Sequence, residues 1–492
     1  MPLKINTKLY GVIAASAEDG RPVLKEAPAD LQEEIWEACS FPNPKYLMLE
    51  KYSRWGARNE SSTITYAETT ASGFAFPKGL SFFGLSEAHQ KMLKAVSWED
   101  STKAHPCLFP ACRTALTPQQ THALRSFASH VKRKTRPFGN YLFLMPTSSG
   151  KTVVQTLAAA HLGQRTLIVV GTNLIKKAWY DDLKQHFGVK QTKVGLIQQS
   201  SCSMGEVFTI AVTATLMRRR DWWKEIGDHF GTIIIDEADS IGGKLEDFCR
   251  EVKIKYLIGA SATDGKSYTE MNMPLYLCFG APIHRLRQST IATKTMLPLS
   301  KVEVFKTPYV PALEVEQRLD WTKLILDISM DEARNALIVD TVTTDWEEGY
   351  SCLVVCALKA HVQLIASLLE EKISAVNPLT SESSSKGTAA LLSASLDKKT
   401  RCIVATQNAV MRGANINAMD RLYFCSPIKS HRILEQLIGR IRRTHQTKSD
   451  CQARYFWDYK FGYLCGIYYR SAIPVFKRLK VPSIEVRNYT CR

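Results

Sequence analysis

No apolar stretch of this 492-residue sequence approaches the roughly 20 residues that a membrane-crossing helix requires, and no apolar N-terminal segment resembles a secretory leader. Paired cysteine spacing is missing too. The thirteen cysteines are scattered without the intervals of a disulfide framework, so a reducing, intracellular compartment and no membrane partner are expected. The densest His/Cys group, His105, Cys107, Cys112 and His122, fits no common zinc module, and Pro106 and Pro110 mark an irregular linker there. Acidic residues are in deficit: 47 Asp and Glu stand against 64 Lys and Arg, a formal net charge of +17. That excess concentrates a polyanion near the surface and favours nucleic acid as partner.

What is present is organised around residues 141–152, YLFLMPTSSGKT. A buried apolar run ends at Pro146, passes through small residues and delivers Gly150-Lys151-Thr152 into a helix-forming segment. A phosphate-binding loop needs this sequence of parts. Thr147, Ser148, Ser149 and Gly150 supply backbone N–H groups around phosphate oxygens, Lys151 supplies a point charge, and Thr152 holds Mg²⁺. Met145 stands where the usual pattern begins with glycine, so the neighbours downstream carry the reading. Upstream, Leu116-Thr-Pro-Gln-Gln120 opens a helical pattern, and the Gln120 amide suits the adenine edge.

The chain continues as alternating strands and helices. A strand over 166–170 ends at Gly171-Thr172-Asn173, and another over 208–212 ends at Thr213. In a parallel sheet the carboxyl ends of the strands share the ligand edge, which makes Thr172, Asn173 and Thr213 candidates for a nucleic-acid backbone. The strand over 232–235 delivers Asp236-Glu237-Ala238-Asp239: Asp236 to hold Mg²⁺, Glu237 to orient or deprotonate the attacking water. A strand over 256–258 leads to Ser261-Ala262-Thr263. Basic and aromatic residues interleave at Lys45, Tyr46, Lys51, Tyr52, Arg54, Trp55 and Arg58, a composition suited to stacking bases or to an ordinary core.

This ordered set resembles the superfamily 2 helicases and translocases, and the resemblance extends into the second half. Strands over 350–357 and 401–406 open a further α/β unit, Gly413-Ala-Asn-Ile416 resembles the fifth motif, and Gln436-Leu-Ile-Gly439-Arg440-Ile-Arg442-Arg443 matches the sixth, Q-x-x-G-R-x-x-R. On one continuous helix Gln436, Gly439, Arg440 and Arg443 share a face. The resemblance implies an α/β fold: two tandem RecA-like parallel-sheet domains behind a small accessory domain containing strands. The expected divisions are 1–112, 113–290 and 291–492, with 264–300 as the connection and 380–387 as a low-complexity insert.

The resemblance also implies a nucleic-acid-dependent ATPase using ATP and Mg²⁺. Lys151, Asp236, Glu237, Gln436, Arg440 and Arg443 are its catalytic set, the last two as arginine fingers. Gln120, residues 147–152 and Gly413 bind the nucleotide, Ser261 and Thr263 couple the site to movement, and Thr406 joins the nucleic-acid contacts. Basic Lys477, Arg478 and Lys480 add backbone contacts. The sixth motif opens with Gln436-Leu437 where DEAD-box RNA helicases carry His-Arg, and so looks like that of UvsW-type, XPB-like and RecG-like DNA enzymes. Branched or forked DNA is the expected substrate, in replication, recombination or repair, with a phage origin and the host cytoplasm as location. An RNA helicase and a nonenzymatic binding scaffold are the alternatives.

Overall fold

The computed structural model describes residues 10–13, 21–43, 46, 61–80, 85–100, 102–133, 139–146, 149–262, 273–286, 296–311, 320–380, 401–411, 416, 418–445 and 448–488. Two compact units emerge, of which the first holds residues 1–146, 150–265 and 270–286, and the second takes in 287–492. Among the described residues no helix is long and apolar enough to cross a membrane.

The first unit begins with a small sheet built from β1 (Tyr10–Ile13), β2 (Pro22–Leu24), β5 (Glu68–Thr70), β6 (Gly73–Ala75) and β7 (Ser97–Asp100), in the order β5-β6-β2-β1-β7. Two further strands, β3 (Ser40–Pro42) and β4 (Thr63–Thr65), form a separate antiparallel pair. Leu24, Leu31, Ile35, Phe74, Phe76 and Leu93 give this lobe its own core. Its contacts with the rest of the unit include close backbone approaches and ion pairs, among them Lys255 with Asp100. The Gly79 N–H donates to Leu277 O at 2.8 Å, and a Cβ on Gly79 would lie 2.3 Å from Tyr276 O, so only glycine permits the approach. The Lys78 ammonium donates to Val252 O at 3.2 Å nearby.

The large sheet of the first unit comprises β8 (Asn140–Leu144), β9 (Thr166–Val170), β10 (Gly195–Gln198), β11 (Ser201–Ser203), β12 (Phe208–Val212), β13 (Thr232–Asp236), β14 (Tyr256–Ser261) and β15 (His284–Arg285). Its order is β11-β10-β12-β9-β13-β14-β8-β15, and every pairing is parallel except β10 with β11. The central strands are buried along nearly their whole length and are mostly apolar, as parallel strands covered by helices on both faces are. Period-two alternation sorts their side chains: Leu142 and Leu144 join one core with Phe248, while Tyr141 and Phe143 join the other with Phe127 and Trp179.

The segment expected to be connection contributes to this sheet. The helix Met273–Phe279 and β15 lie within 264–300, and Ile283 N donates to Leu142 O at 2.9 Å to lead β15 onto β8. A strand of two residues has no periodicity to read. The connection is therefore shorter than the sequence suggests.

The second unit holds a seven-stranded, wholly parallel sheet: β16 (Lys301–Lys306), β17 (Cys352–Cys356), β18 (Val376–Leu379), β19 (Cys402–Thr406), β20 (Arg421–Phe424), β21 (Gln452–Trp457) and β22 (Ser483–Asn488), ordered β18-β19-β17-β20-β21-β16-β22. Buried charges are paired, as a low-dielectric interior demands. Arg334 Nε meets Asp458 Oδ1 at 2.7 Å, and Thr307 Oγ1 donates to the same oxygen at 2.7 Å. Arg454 bridges Glu303 and Asp345, each at 3.0 Å.

His361, on the helix Lys359–Glu370, is fully buried, with Nε2 3.0 Å from Asn335 Oδ1. Burial, reinforced by the Arg334 charge, drives its pKa down from 6.5 to about 3. The unfolded chain therefore binds more protons than the folded one below pH 6.5, and stability contributed by the neutral imidazole is lost as pH falls from there toward 3. Denaturant titrations at pH 7 and pH 5 are expected to show roughly 2 kcal/mol of loss from this group, and His361→Gln is expected to flatten that acid dependence.

Candidate active site

Strand register assembles the site. In the order β13-β14-β8, Asp236 pairs with Ala260 and Ser261 pairs with Leu144, so the acid strand and the loop strand finish at one edge with Ser261-Ala262 between them. The Met145 N–H extends the ladder by donating to Ser261 O at 2.8 Å. A buried Ser261 thus abuts the loop that follows β8.

Gly150 occupies the left-handed region at φ 78° and caps the helix Lys151–Leu162. A Cβ there would fall 2.1 Å from Gln120 Nε2, which places Gln120 directly against the loop. The Gln120 side chain also completes a capping box at the start of the helix Pro118–Lys132: Thr117 N donates to Gln120 Oε1 at 2.9 Å, and Gln120 N donates to Thr117 Oγ1 at 3.3 Å. Its amide is thus oriented by its own helix. Lys151 Nζ donates to Met145 O at 3.3 Å and to Pro146 O at 3.4 Å, holding the ammonium over the loop. Thr152 follows in the first helical turn, where backbone N–H groups and the helix dipole favour an anion.

Asp236 is held by two donors. Trp179 Nε1 donates to Oδ2 at 2.8 Å and Glu237 N donates to Oδ1 at 2.9 Å. Trp179 is buried on the helix Asn173–Phe187 and its contact with the acid went unrecognised in the sequence, where a tryptophan on a helix reads as core. Glu237 has φ 49°, a left-handed backbone that is costly outside glycine and is characteristic of functional turns.

Thr172 and Thr213 follow β9 and β12 at the same edge, since Val212 pairs with Val170. Their hydroxyls have local work: Thr172 Oγ1 accepts from Ile175 N, and Thr213 Oγ1 donates to Val170 O at 3.1 Å. Asn173 opens the helix after β9 and is exposed. In the second unit, Thr406 ends β19 and its hydroxyl accepts from Ala409 N. Gln436 and Gly439 lie buried on the helix His431–Ile441, while Arg440 is half-buried and donates to Met411 O. That helix stops before Arg443, contrary to the single face expected for all four motif residues. Arg442 is its C-cap, and Arg443 pairs with Met296 in an isolated bridge. Arg478 forms an ion pair with Glu435. Thr147, Ser148, Thr263, Gly413, Lys45, Lys51, Tyr52, Arg54, Trp55 and Arg58 lie outside the described residues.

Two family models match in order along the chain: the res subunit of type III restriction enzymes over residues 113–265 and the helicase conserved C-terminal domain over 333–445. The chain belongs to the superfamily 2 helicases. This helicase is accordingly a nucleic-acid-dependent ATPase by class, built from tandem RecA-like domains behind the N-terminal lobe. It is similar to the putative helicase 161L of Invertebrate iridescent virus 6, at 23% identity over 310 residues, 60% of this chain and 68% of that protein. The ATP-dependent DNA helicase uvsW of enterobacteria phage T4 is 19% identical over 320 residues, 62% of each chain, which is less than two thirds of its length. A solved fragment of a putative HsdR subunit of a type I restriction enzyme from Vibrio vulnificus YJ016 shares the fold, with a TM-score of 0.56 at 16% identity over 77% of this chain and 70% of that one.

Trp179 is expected to matter to this helicase through Asp236. Trp179→Phe keeps the ring in the core and removes the donor; with Asp236 in the Mg²⁺-holding role its sequence position implies, turnover or apparent Mg²⁺ affinity is expected to fall by about 10- to 100-fold, the usual effect of losing an outer partner of a metal-binding carboxylate. Steady-state ATPase measured across a Mg²⁺ titration checks this, with near-wild-type thermal unfolding as the control.

Proposed function

We propose that this protein is an ATP-dependent DNA helicase or translocase acting on branched or forked DNA, by unwinding, branch migration or reannealing, in replication, recombination or repair. The observation that carries the ATPase part is the common strand edge of Asp236, Ser261 and the loop that holds Lys151. The preference for DNA is supported by Gln436 at the head of the sixth motif and by the similarity to the phage T4 DNA helicase.

In this reading Lys151 and the N–H groups at the start of its helix bind the phosphates, and Thr152 and Asp236 hold Mg²⁺. The fit rests on the φ of Gly150 and on the Trp179 bond that presents the Asp236 carboxylate. The metal supplies charge neutralisation at the phosphate oxygens. Glu237 takes the proton of the attacking water, and Arg440 and Arg443 neutralise charge developing on the γ-phosphate. Gln120 and Gly413 complete nucleotide binding, Ser261 and Thr263 couple the site to movement, and Thr172, Asn173, Thr213 and Thr406 hold the nucleic-acid backbone. The working divisions are an N-terminal lobe over 1–112, an ATP-binding domain over 113–290 and a second domain over 291–492.

ATPase assays with and without DNA test this directly. Glu237→Gln is expected to reduce stimulated turnover by about 10² to 10⁴, and Arg440→Ala by about 10³ or more, while nucleotide binding persists in the glutamate variant. Full stimulated hydrolysis in Lys151→Ala overturns the site. Forked DNA, four-way junctions and RNA duplexes competed in one unwinding assay decide the substrate, and preferential unwinding of RNA sinks the DNA assignment.

A further inference from the structure

The carboxyl edge of the second sheet carries a surface outside the helicase motifs. Adjacent strands β20, β21 and β16 all run the same way, so the segments that follow them emerge side by side. β16 ends at Lys306, β21 is followed by Asp458, Tyr459 and Lys460, and the segment after β20 brings Lys429. Three tyrosines stay open to solvent here: Tyr459 at 39% exposure, Tyr463 at 38% and Tyr469 at 57%.

Cations and rings interleave on this surface. Lys429 Nζ lies 3.5 Å from the centre of the Trp321 ring and 5.3 Å from that of Tyr463, and Trp321 and Tyr463 pack edge to face at 6.3 Å. Lys306 Nζ lies 5.4 Å from the Tyr459 ring. Beneath, Trp457 supports Tyr459 at 5.9 Å and Tyr469 at 5.6 Å. The two halves join where Ser471 Oγ donates to Lys429 O at 2.7 Å, beside a π-helical turn over Tyr468–Ala472, a local form frequent at functional sites. The mount is rigid, because Asp458, next to Tyr459, is locked by Arg334 and Thr307.

Exposed, buttressed rings spaced by ammonium groups match the chemistry of a single-stranded polynucleotide, whose bases stack on aromatic faces while its phosphates meet lysines. A single strand fits better than a duplex, whose bases are already stacked. We propose that Tyr459, Tyr463 and Tyr469, with Lys306, Lys429 and Lys460, form a base-stacking platform for single-stranded nucleic acid. The platform rests on the nucleic-acid-dependent activity proposed above and adds a site for the strand beyond the motif threonines.

The test uses the full chain, a fluorescein-labelled oligothymidylate and the same oligomer carrying one 2-aminopurine. Each of Tyr459→Ala, Tyr463→Ala and Tyr469→Ala is expected to weaken binding roughly tenfold, in keeping with loss of one stacked base, and to reduce 2-aminopurine quenching. The matching Tyr→Phe variants are expected to bind like wild type. In ATPase assays the alanine variants are expected to raise the DNA concentration for half-maximal stimulation without changing turnover at saturation, and that unchanged turnover reports intact folding. Lys429→Ala is expected to lower the slope of log affinity against log salt by about 0.7, the value for one single-strand phosphate contact. Wild-type affinity in the alanine variants, or equal losses in the alanine and phenylalanine variants, overturns the platform and leaves the ATPase reading standing. A wild-type chain that neither binds the oligomer nor is stimulated by DNA overturns both.

Discussion

Parallel register is the constraint on which the rest of the first unit depends. Because Asp236 is level with Ala260 and Ser261 is level with Leu144, the acids and the phosphate loop finish at one edge with a single strand between them. Neighbouring strands lie about 4.8 Å apart, so the ends of β13 and β8, with one strand between them, are separated by about 10 Å. A one-residue slip of β14 would turn its buried side chains to the opposite face and break the Met145 to Ser261 hydrogen bond. Packing and catalytic geometry are enforced by the same apolar side chains.

Two local devices refine that edge. The left-handed Gly150 leaves space that the Gln120 amide occupies, so the helix before β8 and the helix after it meet at the loop. Trp179 spends its one donor on Asp236 while its ring fills the core beside β9. An orienting group placed in the hydrophobic core is shielded from competing water, which strengthens its bond to a carboxylate.

Much of this was readable from residues because the information is local. Five-residue runs such as TLIVV and FTIAV, apolar but for one threonine each and followed within two residues by Thr172 or Thr213, announce buried parallel strands and their ligand edge, and Gly150-Lys151-Thr152 with Asp236-Glu237 points to the chemistry despite Met145. What escaped depends on distant partners. β15 is two residues long and exists because β8 offers an edge, β22 joins β16 from the far end of the chain with a largely exposed pattern, and the Trp179 to Asp236 bond spans 57 positions. The helix ending before Arg443 is likewise unmarked by glycine or proline. Its terminus is set where residues 296–297 cross it.

That crossing has a mechanical meaning. Leu297 N donates to Arg442 O, Arg442 Nε donates to Leu297 O at 2.8 Å, and Met296 bridges Arg443, so the stretch entering the second unit is stitched to the residues at the end of the motif helix. The backbone of Arg443 and the incoming chain form one short ladder. The residues that lead into β16 are thus fastened to the end of the motif helix before the second sheet begins, so the position of Arg443 is fixed from both sides, by its own helix and by the strand that enters the sheet.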